Sequence, residues 1–306
     1  MNKDIKKVIF IGGSSYSGST MLDMMMANSI EGFSLGEVCA LFRPYRPHHF
    51  NPECGCGNSN CDFWLQVRNA GEEHLYETIF KLLPDVSFIV DSSKDPWWIQ
   101  RQTEILQRKN IDVYNLLIWK EPASFAHSMK KRKRNGWAKA WENYYRLYFT
   151  LINTYISVPY SNLAQHPNQI LQDLCRKCGL SYHEDKEKFW QKQHHTLFGN
   201  NSAKIHLHTN NSSDTKQSND HLARSDNKPK HRTIYHDTSY LQSVPASVRC
   251  YIDNNADLKE ILSTLNNMTS PSEDIQYSSC QVIAAKARWE MKRLCGRVLG
   301  RYWRLF

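Results

Sequence analysis

The sequence predicts an α/β protein built on a parallel sheet. Three apolar runs of strand length, KKVIFIGG (6–13), VSFIVDSSK (86–94) and IDVYNLLIW (111–119), are each followed by a stretch with helical periodicity. Strand and helix patterns that alternate in this way are typical of parallel sheets with crossover helices. The loop that follows the first run indicates a sheet like that of the P-loop NTPases, flanked by helices.

The elements follow one another in a regular order. The first run ends in glycines, and a helical pattern begins at Thr20. After the second run, Asp95 is expected to cap a helix whose first turn contains Pro96, since both residues are favoured at those positions. Three further helices are predicted, with a short extended piece at VPYSNL before the last: EPASFAHSMKKRKR, AKAWENYYRLYFTLINTYI and HPNQILQDLCRKCGL.

The composition favours a folded protein with anionic partners. The chain has 306 residues, of which 41% are hydrophobic, and its 39 Lys and Arg against 30 Asp and Glu give a formal net charge of +9. The apolar run near the N-terminus is too short for a signal peptide, and no run reaches the ~18 apolar residues of a membrane-spanning helix. Because nine cysteines are an odd number spread through a large chain, we expect reduced thiols and a cytoplasmic location.

We divide the chain into a domain over residues 1–270 and a basic amphipathic tail over residues 271–306. Within the domain, residues 200–232 are polar and rich in Asn and Ser, with hardly any large apolar side chains. Such a segment does not bury enough surface to offset its ordering entropy, so we expect a mobile loop. Plain disorder and a lid over a charged ligand are both compatible with it.

GSSYSGST (13–20) has the outline of a Walker A phosphate loop without its lysine, because Ser19 stands in the lysine position. Backbone N–H groups and hydroxyls at a helix N-terminus suit a single terminal phosphate, which needs no lysine to reach a β- or γ-phosphate. A Gly- and Ser-rich turn without a ligand is the alternative. The residues assigned to phosphate binding are Ser15, Tyr16, Ser17, Gly18, Ser19 and Thr20.

A second anion site is predicted at the end of the third run. Lys120 follows that strand directly, and Ser128 lies eight residues later in the following helix. A cation and a hydroxyl near strand C-termini suit a second phosphate, because parallel sheets bind ligands at that edge. The alternative is a solvated basic face formed by Lys120 and the KKRKR run.

These stretches resemble the sulfotransferases that use 3′-phosphoadenosine 5′-phosphosulfate (PAPS). GSSYSGST resembles the 5′-phosphosulfate loop of that family, and WKEPASFAHS resembles its 3′-phosphate motif. SLGEVCAL and VDSSKDP resemble motifs of the tyrosylprotein-type and related bacterial members, some of which act on carbohydrates. ECGCGNSNCDFW, VPYSNLAQHP and HHTLFGNN are also similar to bacterial segments. The resemblance extends from about residue 7 to 204, and the order and spacing of the motifs make it specific.

The resemblance implies roles for individual residues. Glu37 of SLGE would be the base that activates an acceptor hydroxyl, and Lys94 of KDP would stabilise the charge that develops on the leaving phosphate. Lys120 and Ser128 would hold the 3′-phosphate of PAPS. Three positions depart from the family pattern: Tyr16 replaces an Arg or Lys, Lys120 replaces an Arg, and Ser161 replaces the Glu that commonly follows the tyrosine at Tyr160. Without the resemblance, Glu37 and Lys94 are ordinary surface or helix-flanking residues.

Histidines and cysteines form a second group of candidates. His48, His49, Cys54, Cys56 and Cys61 have the pattern H-H-x4-C-x-C-x4-C, which is compatible with zinc, although the C-x-C spacing departs from the usual pairs. A reduced cysteine knuckle explains the pattern equally well, and we assign no metal ligand to the active site. We expect His194 and His195 to form a solvated pair.

The tail combines apolar residues at helical spacing, among them Met291 and Leu294, with many Arg and Lys and with Trp289 and Trp303. A basic amphipathic helix with tryptophans is typical of a segment that lies on an anionic membrane surface. A terminal helix packed on its own domain accounts for the same pattern. Membrane contact would place the protein at the inner membrane surface and would suit a lipid-linked acceptor.

The sequence therefore predicts a PAPS-dependent sulfotransferase whose acceptor carries a hydroxyl group, such as a carbohydrate, a glycolipid or another small molecule. One alternative is a kinase with a degenerate Walker A loop, in which Asp91 would be the acidic residue that holds Mg²⁺. Another is a basic nucleotide- or RNA-binding protein without catalysis. The sequence has no RNP or KH signature, and we expect no nucleic-acid partner.

Overall fold

The computed structural model describes residues 5–200, 238–268 and 271–299. In these residues, five strands form one parallel sheet with the order β2–β3–β1–β4–β5. The predicted α/β class, a parallel sheet flanked by helices, is confirmed. The strands are β1 (Lys7–Gly12), β2 (Gly32–Gly36), β3 (Phe88–Lys94), β4 (Asp112–Trp119) and β5 (Ile156–Pro159).

Helices of four to 21 residues connect and flank these strands. In the described residues they are α1 (Ser19–Met26), α2 (Cys39–Phe42), α3 (Phe63–Ala70), α4 (Leu75–Leu82), α5 (Pro96–Arg108), α6 (Pro122–Lys131), α7 (Trp137–Leu151), α8 (Tyr160–Gln165), α9 (Pro167–Lys177), α10 (Tyr240–Ser243), α11 (Ala246–Asn254), α12 (Ala256–Asn267) and α13 (Ser279–Leu299).

The central strand β1 divides the apolar core into two layers. Val8 and Phe10 face one layer, and Ile9 and Ile11 face the other, because side chains alternate along a strand. All four are fully buried. A strand that is apolar on both faces is typical of a parallel sheet covered by helices on both sides, which explains why KKVIFIGG has no alternating pattern.

The predicted strands β1, β3 and β4 agree with the structure to within two residues, but α7 ends at Leu151, five residues before its predicted end, and most of the predicted extended piece VPYSNL lies in α8. Asp95 caps α5 by accepting hydrogen bonds from the backbone N–H groups of Trp97 and Trp98, and Pro96 is the first helical residue. The helix after β1 begins at Ser19, one residue earlier than predicted. The strand β2 was not predicted, because GFSLG is short and contains two glycines, which are unfavourable in strands.

The C-terminal helix α13 packs against the domain next to Asp95. The indole Nε1 of Trp289 donates to Asp95 Oδ2 over 2.6 Å, and the Arg293 guanidinium contacts the same carboxylate at 3.4 Å. Met291 and Leu294, which the sequence analysis placed on an apolar face, are 53% and 62% exposed. Most of the predicted mobile loop (200–232) and the last tail residues (300–306), with Trp303, lie outside the described residues. In the described part of the chain, no helix is both long and apolar enough to cross a bilayer.

Candidate active site

The predicted site residues follow the carboxyl ends of neighbouring strands. The loop 13–18 follows β1, Glu37 follows β2, Lys94 ends β3 and Lys120 follows β4. Because all five strands are parallel, these ends lie at the same edge of the sheet, where open α/β sheets bind their ligands. The register brings Lys94 directly opposite Gly12, the last residue before the loop.

The phosphate loop curls at the N-terminus of α1. Tyr16 and Gly18 have positive φ angles of 67° and 100°, so left-handed residues shape the turn that leads into α1. Such turns form anion-binding concavities, and the first N–H groups of a helix have no partner within the helix. The loop therefore has the backbone geometry of an anion site.

Two glycines allow neighbouring elements to approach this loop. A Cβ on Gly13 would lie 2.5 Å from the Ile118 carbonyl oxygen, and a Cβ on Gly18 would lie 2.4 Å from the Tyr160 ring. The backbone of β4 and the start of α8 thus pack directly on the loop. Larger residues at these two positions would push the loop away from the sheet.

The loop hydroxyls differ in their surroundings. Ser15 is exposed, whereas Ser17, Ser19 and Thr20 are at most 5% exposed. The hydroxyl of Ser17 has no hydrogen-bond partner among the described residues. Thr20 Oγ1 accepts a hydrogen bond of 3.1 Å from the backbone N–H of Asn200, so the segment before residue 201 contacts the loop.

Tyr16, which occupies the position of a basic residue in the family pattern, is covered by two arginines. The guanidinium carbons of Arg132 and Arg134 lie 4.0 and 5.7 Å from the centroid of its ring. Both distances are in the range of cation–π contacts. The KKRKR run is exposed, as a solvated basic face would be, but two of its members bring positive charge to the phosphate loop.

Glu37 and Lys94 form an ion pair between the ends of β2 and β3. Lys94 Nζ donates to Glu37 Oε1, and the two side chains are 17% and 20% exposed, respectively. Lys94 has a φ of 64°, an uncommon conformation for a residue with a side chain. The structure thus brings together the two residues that the sequence analysis assigned to catalysis.

The pKa of Glu37 lies below its usual value despite the enclosed position. Burial raises this pKa. The charge and hydrogen bond of Lys94, with a smaller contribution from Arg46, lower it by more, so the net shift is downward. Glu37 is therefore a carboxylate at neutral pH. An ionised carboxylate is the form that accepts a proton from a hydroxyl group.

Tyr144 of α7 connects the phosphate loop to Lys94, a role that the sequence analysis did not identify. Its hydroxyl accepts a hydrogen bond of 2.6 Å from the Gly13 N–H and donates one of 2.7 Å to the Lys94 carbonyl oxygen. Burial raises the pKa of Tyr144 well above its usual value, so the hydroxyl keeps its proton. Aromatic residues at helical spacing indicated only a core helix at this position.

Asp23 of α1 holds the turn that precedes Glu37. Its Oδ2 accepts hydrogen bonds of 3.0 Å from the Gly36 N–H and 2.6 Å from the Ser92 hydroxyl. Burial raises the pKa of Asp23 to about 7, and the hydrogen bonds counteract this only in part. Gly36 has a φ of 68°, which favours glycine.

Lys120 lies over the ring of Tyr160, which packs on Gly18. Lys120 Nζ is 4.2 Å from the centroid of that ring. Lys120 is therefore joined to the phosphate loop through one aromatic side chain. Ser128 lies in α6, and its carbonyl oxygen accepts a hydrogen bond of 3.1 Å from Arg132, the residue that covers Tyr16.

A cavity of about 400 Å³ lies beside α6, on residues that differ from the phosphate loop. Lys130, Lys133 and Arg134 give it a basic lining, and Val244 and Val248 contribute from the opposite side. None of the loop residues 13–20 lines this cavity. It shares α6 with Ser128, so it adjoins the predicted 3′-phosphate side of the site.

The cysteines and histidines do not group as the sequence analysis expected. Cys54, Cys56 and Cys61 cluster with His195, and the set does not include His48 or His49. The expected solvated histidine pair is also wrong. His194 is only 3% exposed, and its ring nitrogen Nε2 forms a hydrogen bond with the Phe189 carbonyl oxygen. No disulfide links the nine cysteines, all of which lie in the described residues.

No protein-family model matches the sequence, and no curated protein is significantly similar to it. The solved structures that are similar to this chain include three sulfotransferases. The sulfotransferase domain from the curacin biosynthetic pathway is 15% identical, with 86% of this chain and 99% of that chain covered and a TM-score of 0.49. The sulfotransferase domain from the Synechococcus PCC 7002 olefin synthase is 18% identical, with 87% and 98% covered and a TM-score of 0.47.

The third is a sulfotransferase from Alicyclobacillus acidocaldarius, which is 13% identical, with 60% of this chain and 88% of that chain covered and a TM-score of 0.35. All three structures carry the name of the family that the sequence motifs resemble. Similarity at this level assigns no substrate to this chain.

Replacement of Tyr144 by Phe should destabilise the protein, because it leaves the Gly13 N–H and the Lys94 carbonyl without their partner. A buried polar group that loses its hydrogen bond costs about 1–3 kcal/mol. Tyr148→Phe is the matched control, since its hydroxyl has no partner among the described residues and its ring packs on Gly12. Urea unfolding of both variants measures the difference. Equal stabilities would contradict the bridging role of Tyr144.

Replacement of Asp23 by Asn should flatten the pH dependence of stability. Because the folded-state pKa of Asp23 is raised to about 7, the folded protein binds a proton that the unfolded chain releases near pH 4. This contribution to the free energy of unfolding is complete below about pH 4 and is lost as the pH rises towards 7.

The wild type should therefore lose more stability than Asp23→Asn between about pH 5 and pH 8 in urea unfolding. Asp253→Asn, at an exposed position on α11, is the control and should behave as the wild type. Parallel pH profiles for the wild type and Asp23→Asn would show that Asp23 does not titrate in this range.

Proposed function

We propose that the protein is a sulfotransferase that moves a sulfuryl group from PAPS to a hydroxyl acceptor. The observation that carries this proposal is the Glu37–Lys94 ion pair, placed beside a phosphate loop that lacks the Walker lysine. A base and a cation at the mouth of an anion-binding loop are what transfer of an anionic group to a hydroxyl requires.

The charges around the loop fit a donor with two separate phosphate positions. The N-terminus of α1 and the concave backbone suit the 5′-phosphate, and Arg132 and Arg134 add positive charge beside Tyr16. These arginines supply the charge that a basic residue at position 16 supplies in the family pattern. Lys120 and Ser128 follow the neighbouring strand and are assigned to the 3′-phosphate.

The proposed reaction is an in-line displacement at sulfur. The acceptor oxygen forms a bond to sulfur, the bond between sulfur and the 5′-phosphate oxygen breaks, and the acceptor proton passes to Glu37. The products are the sulfated acceptor and 3′-phosphoadenosine 5′-phosphate. As in phosphoryl transfer, positioning and charge stabilisation provide most of the catalysis.

Lys94 is assigned to the charge that accumulates on the leaving phosphate. Its ammonium group has three donors, so it can keep a hydrogen bond to Glu37 and still contact an oxygen of the ligand. The hydrogen bond from Tyr144 to the Lys94 carbonyl oxygen holds the strand end next to the loop. The ion pair also keeps Glu37 ionised before the donor arrives.

The acceptor is proposed to be a carbohydrate, a glycolipid or another small hydroxyl compound, as the similarity to bacterial members implies. A lipid-linked acceptor would agree with a peripheral membrane contact of the basic tail. Because two motifs resemble those of tyrosylprotein-type members, a peptide tyrosine is the second, less favoured acceptor.

The kinase alternative requires Asp91 to hold Mg²⁺, and the surroundings of Asp91 oppose this role. It is 1% exposed, and both of its oxygens already accept hydrogen bonds. Oδ2 accepts from Tyr76 and Trp98, and Oδ1 accepts from the Ser93 N–H. Burial also raises its pKa, although hydrogen bonds from Ser93, Trp98 and Tyr76 act in the opposite direction.

Calorimetric titration with 3′-phosphoadenosine 5′-phosphate, AMP and Mg-ATP tests the donor assignment. We expect tight binding only when the 3′-phosphate is present. Lys120→Ala should weaken the binding of 3′-phosphoadenosine 5′-phosphate about 10- to 100-fold, since a hydrogen bond to a charged group contributes about 1.5–3 kcal/mol. AMP binding should hardly change in this variant.

Lys81→Ala removes the same charge from an exposed position on α4 and should leave the binding of both nucleotides unchanged. Equal or tighter binding of Mg-ATP would instead support the kinase. If none of the nucleotides binds, the loop has no ligand among them and the proposed sulfotransferase function is refuted.

Replacement of Glu37 by Gln should reduce turnover by roughly 10²–10⁴-fold, the usual contribution of a general base. Affinity for the donor should be kept or increased, because the change removes a negative charge beside Lys94. Transfer of a radiolabelled sulfuryl group to pooled carbohydrate, glycolipid and phenolic acceptors measures turnover. Glu31→Gln, just before the start of β2 at the opposite edge of the sheet, is the control and should keep full activity. Normal turnover with weakened donor binding would refute Glu37 as the base.

A further inference from the structure

We propose that Cys54, Cys56, Cys61 and His195 form a structural zinc site. One ligand atom from each residue lies within 4.8 Å of the others. His195 Nδ1 is 3.3 Å from Cys54 Sγ and 3.5 Å from Cys61 Sγ. In tetrahedral zinc sites with bonds of about 2.3 Å to sulfur and 2.0 Å to nitrogen, the ligand atoms lie roughly 3.5–4 Å apart.

The chemistry of the four residues favours zinc in a closed site. Three thiolates and one imidazole complete a tetrahedron without an open position, which is typical of structural rather than catalytic zinc. His195 is half-buried, and its Nδ1 is the ring nitrogen that faces the Cys54 and Cys61 sulfurs. The C-x-C spacing is irregular for a local zinc motif, but the fourth ligand comes from a distant part of the chain.

The neighbouring groups hold these ligands in place. The carbonyl oxygen of His195 accepts a hydrogen bond of 2.6 Å from Trp64 Nε1. The imidazole ring of His195 lies near the rings of Phe33 and Phe63. The Gly55 N–H donates to the Thr196 carbonyl oxygen over 3.0 Å. Such outer contacts fix the orientation of metal ligands.

A metal at this position would fasten two irregular segments to each other. Residues 51–62 and 192–200 contain no helix or strand of their own in the structure. Segments with little regular structure gain stability from a metal, because ligand binding contributes directly to folding. The His195 ligand thereby anchors the segment 192–200.

That segment contacts the candidate active site at two points. The Leu197 carbonyl oxygen accepts a hydrogen bond of 2.9 Å from the Glu37 N–H, and the Leu197 N–H donates to the Leu35 carbonyl oxygen over 2.9 Å. Further along, the Asn200 N–H donates to Thr20 Oγ1. The zinc therefore positions Glu37 and the phosphate loop without taking part in the chemistry.

Metal analysis of the full chain tests this proposal, and its readout does not depend on sulfotransferase activity. Protein purified without chelators should contain about one zinc per chain and no iron. Cys54→Ser, Cys61→Ser and His195→Ala should each lose the zinc, whereas His195→Cys should keep it, since four cysteines form an equally closed site. Cys250→Ser and Cys280→Ser change exposed cysteines outside the cluster and should keep it as well.

Thiol alkylation of the wild type provides a test that needs no variant to fold. The three cluster cysteines should react slowly until a strong chelator is added, while Cys250 and Cys280 react at once. After chelation, hydrogen exchange should accelerate in residues 192–200. A zinc content far below one per chain, a disulfide within the cluster, or zinc retained by Cys54→Ser and His195→Ala would overturn the proposal.

Discussion

The parallel register around β1 is the constraint on which the candidate site depends. Gly12 pairs with Lys94 on one side and with Leu117 on the other, so the ends of three strands are aligned. Any residue that follows these strands is brought to the same edge. Groups far apart in the sequence, such as Glu37 and Lys120, therefore become neighbours of the phosphate loop through backbone pairing alone.

Positive charge at this edge of the sheet comes from residues that neighbour the phosphate loop rather than from the loop itself. With Tyr16 in the loop, positive charge comes from Arg132 and Arg134 over its ring and from Lys94 at the adjacent strand end. Because a guanidinium on an aromatic face keeps its hydrogen-bond donors, these arginines remain able to contact an anion. Under the proposed function, the departure of Tyr16 from the family pattern relocates the cation and does not remove it.

The sequence predicts those parts of the fold that local patterns determine. The buried strands and the cap of α5 at Asp95 follow from apolar runs and capping rules. The strand β2 was missed because GFSLG is stabilised by its pairing with β3 and by the burial of Phe33 and Leu35 rather than by its own propensity. The catalytic roles of Glu37 and Lys94 were expected only from the family resemblance, and their ion pair was not predicted. Tyr144 and His195 could not be found locally, since the role of each depends on partners that are distant in the sequence.

His195 shows why a distant ligand matters for the site. Glu37 lies just beyond a short strand, and its backbone N–H is held by Leu197, which belongs to a segment without regular structure. Apart from the burial of the Leu197 side chain in the core, the segment is held by hydrogen bonds that each contribute only about 1 kcal/mol net. A zinc bond two residues before Leu197 would fix the segment far more firmly than any of these hydrogen bonds. The position of the base would then depend on a metal that never contacts the substrate.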